Sequence, residues 1–422
     1  MESADQAFGD DSQWNGIEEN IEDPEEIRVI FQAISSFSQY AKTSHLNCTH
    51  LRRQAFYALP QAHWQMLSQP PFSYLDVLNR VDDAIESNAE LARIIVKVGL
   101  RSFGVIDPSS GNELNMPEEW SGIAKYNDLD KARSTIRQFY RDWSEEGAVE
   151  RDTCYGPVYR ALEAEKAKYP DRQPMKVLVP GAGLGRLVYD LCLKGYLTEG
   201  NEISYHQLLA SSYILNSTEK AGQHTIFPWI HTFSNHQSRE KQFRSYKIPD
   251  IHPQTTLANT QGTGSMEMCA ADFLCLYGDD SHKDTYDAVT AVFFLDTAPN
   301  LIRYLEVIRS CLKPGGVLIN VGPLLWHWEN HVPSHHGYDG DDYDENNSLG
   351  IADPGSFELT DDEVVALVER MGFVVEKREA GLHAPYVQDA ESMLQTFYKA
   401  SHWVARKPDV KSEVEAETQA TS

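Results

Sequence analysis

The sequence predicts a doubly wound α/β domain behind an N-terminal helical region. Three observations predict it. The apolar run Val177-Leu178-Val179 passes through Gly181-Ala182-Gly183-Leu184-Gly185 into the helical pattern Leu187-Val188-Tyr189-Asp190-Leu191. From Lys176 onward, strand and helix patterns alternate, the signature of a sheet covered on both faces. Before that point, residues 24–170 carry apolar positions at helical spacing.

Taken in order, residues 1–22 are polar and acidic and are expected to be disordered. Residues 23–170 form the helical region. Ile27, Val29, Ile30, Ala33, Ile34 and Phe37 mark one helix, and Leu75, Val77, Leu78, Val81 and Ile85 another. Ile94, Ile95, Val98 and Leu100 continue the pattern. Residues 171–407 form the α/β domain. Its first strand is 177–179, and a short segment over 196–202 ends on Glu202. The near-continuous apolar run 286–295 suits a strand buried on both faces. A helix over 301–312 follows, then a turn at Lys313-Pro314-Gly315-Gly316 and a strand over 317–321. Thr360 and Glu363 form a capping box for a helix that ends at Gly372. Residues 373–377 and 402–405 supply late strands. Two irregular insertions interrupt the domain, at about 229–264 and 330–350, and residues 408–422 form a second disordered tail.

The 422 residues, 41% hydrophobic, can build a substantial core. The net charge of −26 argues against a nucleic-acid partner, which would favour clustered Lys and Arg. No apolar run approaches the roughly 18 residues a membrane span needs, and no signal peptide is evident. The six cysteines form no C-x-x-C pair and read as reduced, buried thiols, so the expected compartment is cytoplasmic or also nuclear. His331, His335 and His336 stand among aspartates in the second insertion. They lack regular ligand spacing, so a solvated loop is expected and no metal site.

The glycine turn carries the chemistry. Glycines accept positive φ and let a ligand approach the backbone. A dinucleotide fingerprint would need a small residue where Arg186 stands. Glu202, closing the next segment, can accept both hydroxyls of a ribose. Turn and acid together suggest S-adenosylmethionine rather than NAD.

Longer strings narrow the reading. Gln138-Phe139-Tyr140-Arg141-Asp142-Trp143-Ser144, Val177 through Leu187, and Gly200-Asn201-Glu202 resemble the carnosine N-methyltransferase family. So do Pro228-Trp229-Ile230-His231, Phe293-Phe294-Leu295-Asp296-Thr297-Ala298 and Gly322-Pro323-Leu324-Leu325-Trp326-His327. The resemblance spans residues 125–407 and implies a Rossmann-like class I methyltransferase sheet, with the helical region closing over the cofactor. It implies methyl transfer from S-adenosylmethionine, as co-substrate and without a metal, to the imidazole of β-alanyl-histidine dipeptides.

The same resemblance assigns Gln138, Arg141, Gly181, Gly183 and Glu202 to the cofactor, with Asp272 and Phe273 around the adenine. It assigns Asp296, His327 and Tyr398 to the dipeptide. Because a carboxylate at the end of a buried strand can fix the imidazole tautomer, Asp296 is expected to be catalytic, together with His327, which orients the imidazole or the dipeptide backbone. The partner it implies is that small molecule, with no nucleic acid and no membrane, and a homodimer is left open. There are departures. Val292 stands where the family has a cysteine, and Thr396 where an aromatic is usual. From the residues alone, Asp296 is equally suited to capping the helix near Asn300, and His327, between two tryptophans, to core packing. A protein histidine or another small imidazole remains an alternative acceptor, and a non-catalytic binding protein a further reading.

Overall fold

The computed structural model describes residues 23–103, 117–171, 173–330 and 355–409. The two expected tails and nearly all of the 330–350 insertion, including its three histidines, fall outside those residues, apart from a few positions at their edges.

The helical region contains α1 (Pro24–Ser38), α2 (Tyr40–His45), α3 (Leu51–Tyr57), α4 (Gln61–Leu67), α5 (Tyr74–Ser102), α6 (Tyr126–Trp143) and α7 (Ala148–Lys168). Asp23 caps α1, accepting the Glu25 N–H at 2.9 Å, and Pro24 opens it. Ile30, Ile34 and Phe37 then bury one face, while Val29 is exposed. The α/β part follows as β1 (Lys176–Pro180), α8 (Arg186–Leu193), β2 (Leu197–Glu202), α9 (Tyr205–Asn216), β3 (His224–Ile226), α10 (Arg239–Gln242), β4 (Tyr246–Ile248) and α11 (Pro253–Asn259). It ends with β5 (Ser265–Ala270), α12 (Phe273–Tyr277), β6 (Tyr286–Val292), α13 (Leu301–Cys311), β7 (Leu312–Gly322), α14 (Asp361–Arg370), β8 (Val374–Pro385) and β9 (Phe397–Arg406).

Seven strands form one sheet in the order β5-β2-β1-β6-β7-β9-β8. Neighbours pair parallel except where β9 runs antiparallel between β7 and β8. The chain runs outward from β1 through β2 to β5, then crosses back to β6 on the other side of β1. That reversal opens a crevice at the carboxyl ends of β1 and β6, where ligands of doubly wound sheets bind. The expected fold class is present.

One apolar core runs across residue 170. Ile34, Ile95 and Phe139 of the helical region pack in the same cluster as Leu184, Tyr189 and Leu209 of the α/β part. The helices α1, α5 and α6 therefore pack against α9, and α7 packs directly on the sheet at β6 and β7.

Several elements differ from their expected form. The strand expected over 286–295 stops at Val292, because Phe293 takes a φ of +53° and turns the chain. The Lys313–Gly316 turn lies inside β7 as a bulge, where the pairing jumps from Tyr286–Leu312 to Ala288–Val317. The late strands are longer than their apolar patterns, since β8 is largely solvent-exposed and pairs only with β9. The segment 229–264 is not irregular. It carries α10, β4 and α11, and β4 pairs antiparallel with β3. Cys275 is exposed, against the expectation of buried thiols, and all six cysteines are free.

Candidate active site

A cavity of about 640 Å³ lies over the carboxyl ends of β1, β2, β5 and β6. Its floor is the glycine turn. Gly181 and Gly183 take φ of +67° and +58°. A Cβ would stand 3.0 Å from the Phe294 ring at Gly181 and 3.3 Å from Gln138 Nε2 at Gly183. Glycine at both positions keeps the floor open.

Glu202, buried at the end of β2, faces this turn. Its Oε2 accepts the Gly183 N–H at 2.9 Å, and its Oε1 accepts the N–H groups of Ile203 and Ser204 at 2.9 and 2.8 Å. Burial raises the carboxyl above its ordinary range, against the pull of these three donors. Ile203 beside it is 51% exposed and lines the cavity, an apolar surface without a protein partner over it. Across the cavity, Asp272 caps α12 through the Cys275 N–H at 3.0 Å. Phe273 packs edge-on against Phe294, with ring centroids 5.3 Å apart. Both line the same space.

Gln138 and Arg141 reach in from α6, one turn apart. Gln138 donates to Asp142 Oδ2 at 3.0 Å and accepts from Gln207 at 2.8 Å. Arg141 donates to both oxygens of Asp142, at 2.7 and 3.2 Å, and Tyr155 donates to the same carboxylate at 3.4 Å. Burial alone would lower the Arg141 pKa, but Asp142 holds it well above its ordinary value. Asp142, Tyr155 and Gln207 were not singled out from the sequence. Asp142 stood inside a quoted string, but nothing local marked it as the anchor.

The placement of α6 rests on a buried clamp. Trp143 Nε1 donates to Leu184 O at 3.0 Å. Arg186 donates to Asp142 O at 2.9 Å and to Asp250 Oδ1 at 2.8 Å. Arg151 from α7 donates to the other oxygen of Asp250 at 3.0 Å. Arg186, the residue that breaks the dinucleotide fingerprint, thus ties the glycine turn to α6 and to the supposed insertion.

On the other side stand the candidate acceptor residues. Asp296 lies in a 3-10 turn, Leu295–Thr297, beyond the end of β6. It does not cap α13, because Asn300 does so itself, accepting the Ile302 N–H at 3.1 Å. Instead Asp296 Oδ2 accepts the Leu325 N–H at 2.9 Å, and its carbonyl accepts the His327 N–H at 3.1 Å. Burial raises its carboxyl, opposed by the Leu325 N–H and by His327. His327 is exposed and lines the cavity. Tyr398, on β9, packs edge-on to Phe293 with centroids 5.8 Å apart. Its hydroxyl is raised by burial and by the neighbouring Asp296 and Tyr386. The cavity wall takes in Gln138, Arg141, Gly181, Gly183, Glu202, Asp272, Phe273 and His327, whereas Asp296 and Tyr398, which the resemblance assigns to the dipeptide, are not among its lining residues.

Of the departures, Val292 is on the wall, and Thr396 donates its hydroxyl to Gln388 Oε1 at 2.7 Å. Tyr386 and Glu150 also line the cavity and carried no sequence signal. Among the described residues, no group of three or more His, Cys, Asp or Glu is arranged to hold a metal ion, and no helix is long and apolar enough to cross a membrane.

A family model described as carnosine N-methyltransferase matches residues 118–409. A carnosine N-methyltransferase from Schizosaccharomyces pombe is 35% identical over 390 residues, covering 91% of this chain and 97% of its own length. One from Mus musculus is 32% identical over 382 residues, covering 90% of this chain and 86% of its own. Among solved structures, a SAM-dependent methyltransferase from Methanosarcina mazei aligns over 56% of this chain and 93% of that chain, at 17% identity and a TM-score of 0.32.

Proposed function

The chain belongs to the carnosine N-methyltransferase family, and on that premise we propose that it transfers the methyl group of S-adenosylmethionine to the imidazole of carnosine and related β-alanyl-histidine dipeptides, giving anserine from carnosine. The observation that carries the reading is the convergence on one cavity of an open glycine floor, a buried acid and an imidazole-bearing wall.

The residues present suit the co-substrate. Glu202 accepts the ribose hydroxyls in this reading, and Ile203, Asp272 and Phe273, which line the same cavity, surround a flat ring. Arg141 and Gln138 suit the charged amino-acid end. When bound, S-adenosylmethionine supplies an electrophilic methyl group on a sulfonium. The acceptor ring needs a neutral attacking nitrogen aligned opposite the sulfur, more than it needs strong acid or base groups. The other ring nitrogen must then hold the proton. Asp296 accepts that N–H, fixing the tautomer, and its charge faces the imidazolium that forms as the ring nitrogen bonds the methyl carbon and the carbon–sulfur bond breaks, releasing S-adenosylhomocysteine. Leu325 holds the carboxylate in place through Oδ2, leaving lone pairs for the ring. His327 orients the ring or the peptide backbone at the wall, and Tyr398 anchors a polar end of the dipeptide. The methylated ring then gives its N–H proton to Asp296, from which it passes to solvent.

A protein histidine is the second reading, and the exposure of His327 at the cavity edge is what it would use. The test is incubation of purified protein with labelled S-adenosylmethionine and a panel of histidine-containing dipeptides, followed by mass spectrometry. Anserine formed from carnosine supports the proposal. Label found only on protein histidine would overturn it.

A further inference from the structure

The connection between β8 and β9 begins at Tyr386 on the cavity wall, and one strained residue shapes it. Val387 has a φ of +47°, a left-handed conformation that a β-branched residue rarely adopts. Its neighbour Tyr386 projects into the cavity while remaining 43% exposed. The Tyr386 ring packs on Phe293 at 5.2 Å between centroids and lies beneath the Arg141 guanidinium at 4.7 Å. It therefore joins the cofactor side of the cavity to the acceptor side.

Such a conformation persists only where surrounding groups hold it. Here both faces of the Val387 backbone are gripped from the helical region. Glu150, buried near the start of α7, accepts the Val387 N–H and the Gln388 N–H, each at 2.7 Å. Arg137 on α6 donates to the Val387 carbonyl. Two adjacent N–H groups converging on one buried carboxylate form a specific, charge-assisted latch.

We propose that Glu150 is a positioning residue for acceptor binding: by latching Val387 and Gln388 it holds Tyr386 as the wall against which the dipeptide is seated. This rests on the methyltransferase reading above. Glu150 touches no reacting atom. It acts through Tyr386, so its removal weakens acceptor binding and leaves the co-substrate's own contacts in place.

The test uses the full chain. Glu150→Gln keeps the side-chain volume but offers an amide donor to one of the two N–H groups. The KM for carnosine should rise about tenfold or more, while S-adenosylmethionine affinity in calorimetric titration stays unchanged. Hydrogen exchange in the peptide spanning residues 386–396 should quicken without a change in global unfolding. In a double-mutant cycle, Glu150→Gln should add nothing to the KM of Tyr386→Ala. An unchanged KM, a fall in co-substrate affinity, or additive effects in the cycle would each overturn the proposal. A wild-type protein inert toward carnosine would count against the acceptor reading instead, and unchanged exchange over 386–396 would then overturn this one.

Discussion

The backbone N–H of Gly183 donates to Glu202 Oε2 at 2.9 Å, so the glycine turn and the acid that ends β2 form one hydrogen-bonded unit. The acid is thereby aimed at the floor of the cavity. Its buried carboxylate also holds Ile203 and Ser204, which sets the course of the chain into α9.

Replacing Glu202 should therefore act on co-substrate binding first. Glu202→Gln retains the shape but removes the charge-assisted acceptor. The loss in S-adenosylmethionine affinity should be about 1.5–3 kcal/mol, read by calorimetric titration. Wild-type affinity in the variant would remove Glu202 from the cofactor site.

Asp250 is expected to matter for stability as much as any residue of the site. It neutralises Arg151 and Arg186, both buried. Asp250→Ala leaves two buried guanidinium groups short of an acceptor, and such losses typically cost about 3–5 kcal/mol. Denaturant unfolding would reveal this. A change within the range of ordinary surface substitutions would mean that the arginines find other partners.

Much of this site was legible because it is local. The strand, glycine turn and helix at residues 176–193 are one contiguous string, and the acid at Glu202 closes the next strand. The Thr360–Glu363 capping box is likewise written in four residues, and the helix starts there. Asp142, Glu150, Asp250 and Tyr386 were not legible. Glu150, Asp250 and Tyr386 work through partners far along the chain, as Glu150 does with Val387, and no local spacing encodes that. The carboxylate of Asp142 binds the nearby Gln138, Arg141 and Tyr155, but a polar helix face of this kind is equally that of a solvated helix. The end of β6 was misread because Phe293-Phe294-Leu295 continues the apolar pattern while the backbone turns away at Phe293. The polar composition of residues 229–264 hid short elements that are held by β3–β4 pairing and by the Asp250 clamp.

The helical region carries a pH-sensitive contact remote from the cavity. His45 bonds Asp82 through Nδ1 at 2.8 Å and Glu86 through Nε2 at 2.7 Å. Thr49 and Arg53 also bind Asp82, and Arg93 binds Glu86. Burial would lower the His45 pKa, but the two carboxylates raise it above its usual 6.5. A raised folded pKa means that the contribution is fully present below 6.5 and is lost as pH rises through the folded value. The thermal midpoint should accordingly decline as pH rises above 6.5, and His45→Gln should flatten that decline. Parallel profiles for the two proteins would assign the slope to other groups.

In the proposed reaction Asp296 holds the acceptor imidazole in one tautomer and faces the charge that forms on it. Asp296→Asn is nearly isosteric, and Asn300, not Asp296, caps α13, so the fold should persist. The amide donates as well as accepts, so the tautomer is no longer fixed and the opposing charge is gone. The direct measurement is steady-state methylation of carnosine by Asp296→Asn, with S-adenosylmethionine affinity determined in parallel. Turnover should fall by about 10²–10³ with co-substrate affinity unchanged. Near-wild-type turnover would contradict it, and a joint fall in turnover and affinity would move Asp296 to the cofactor side of the cavity.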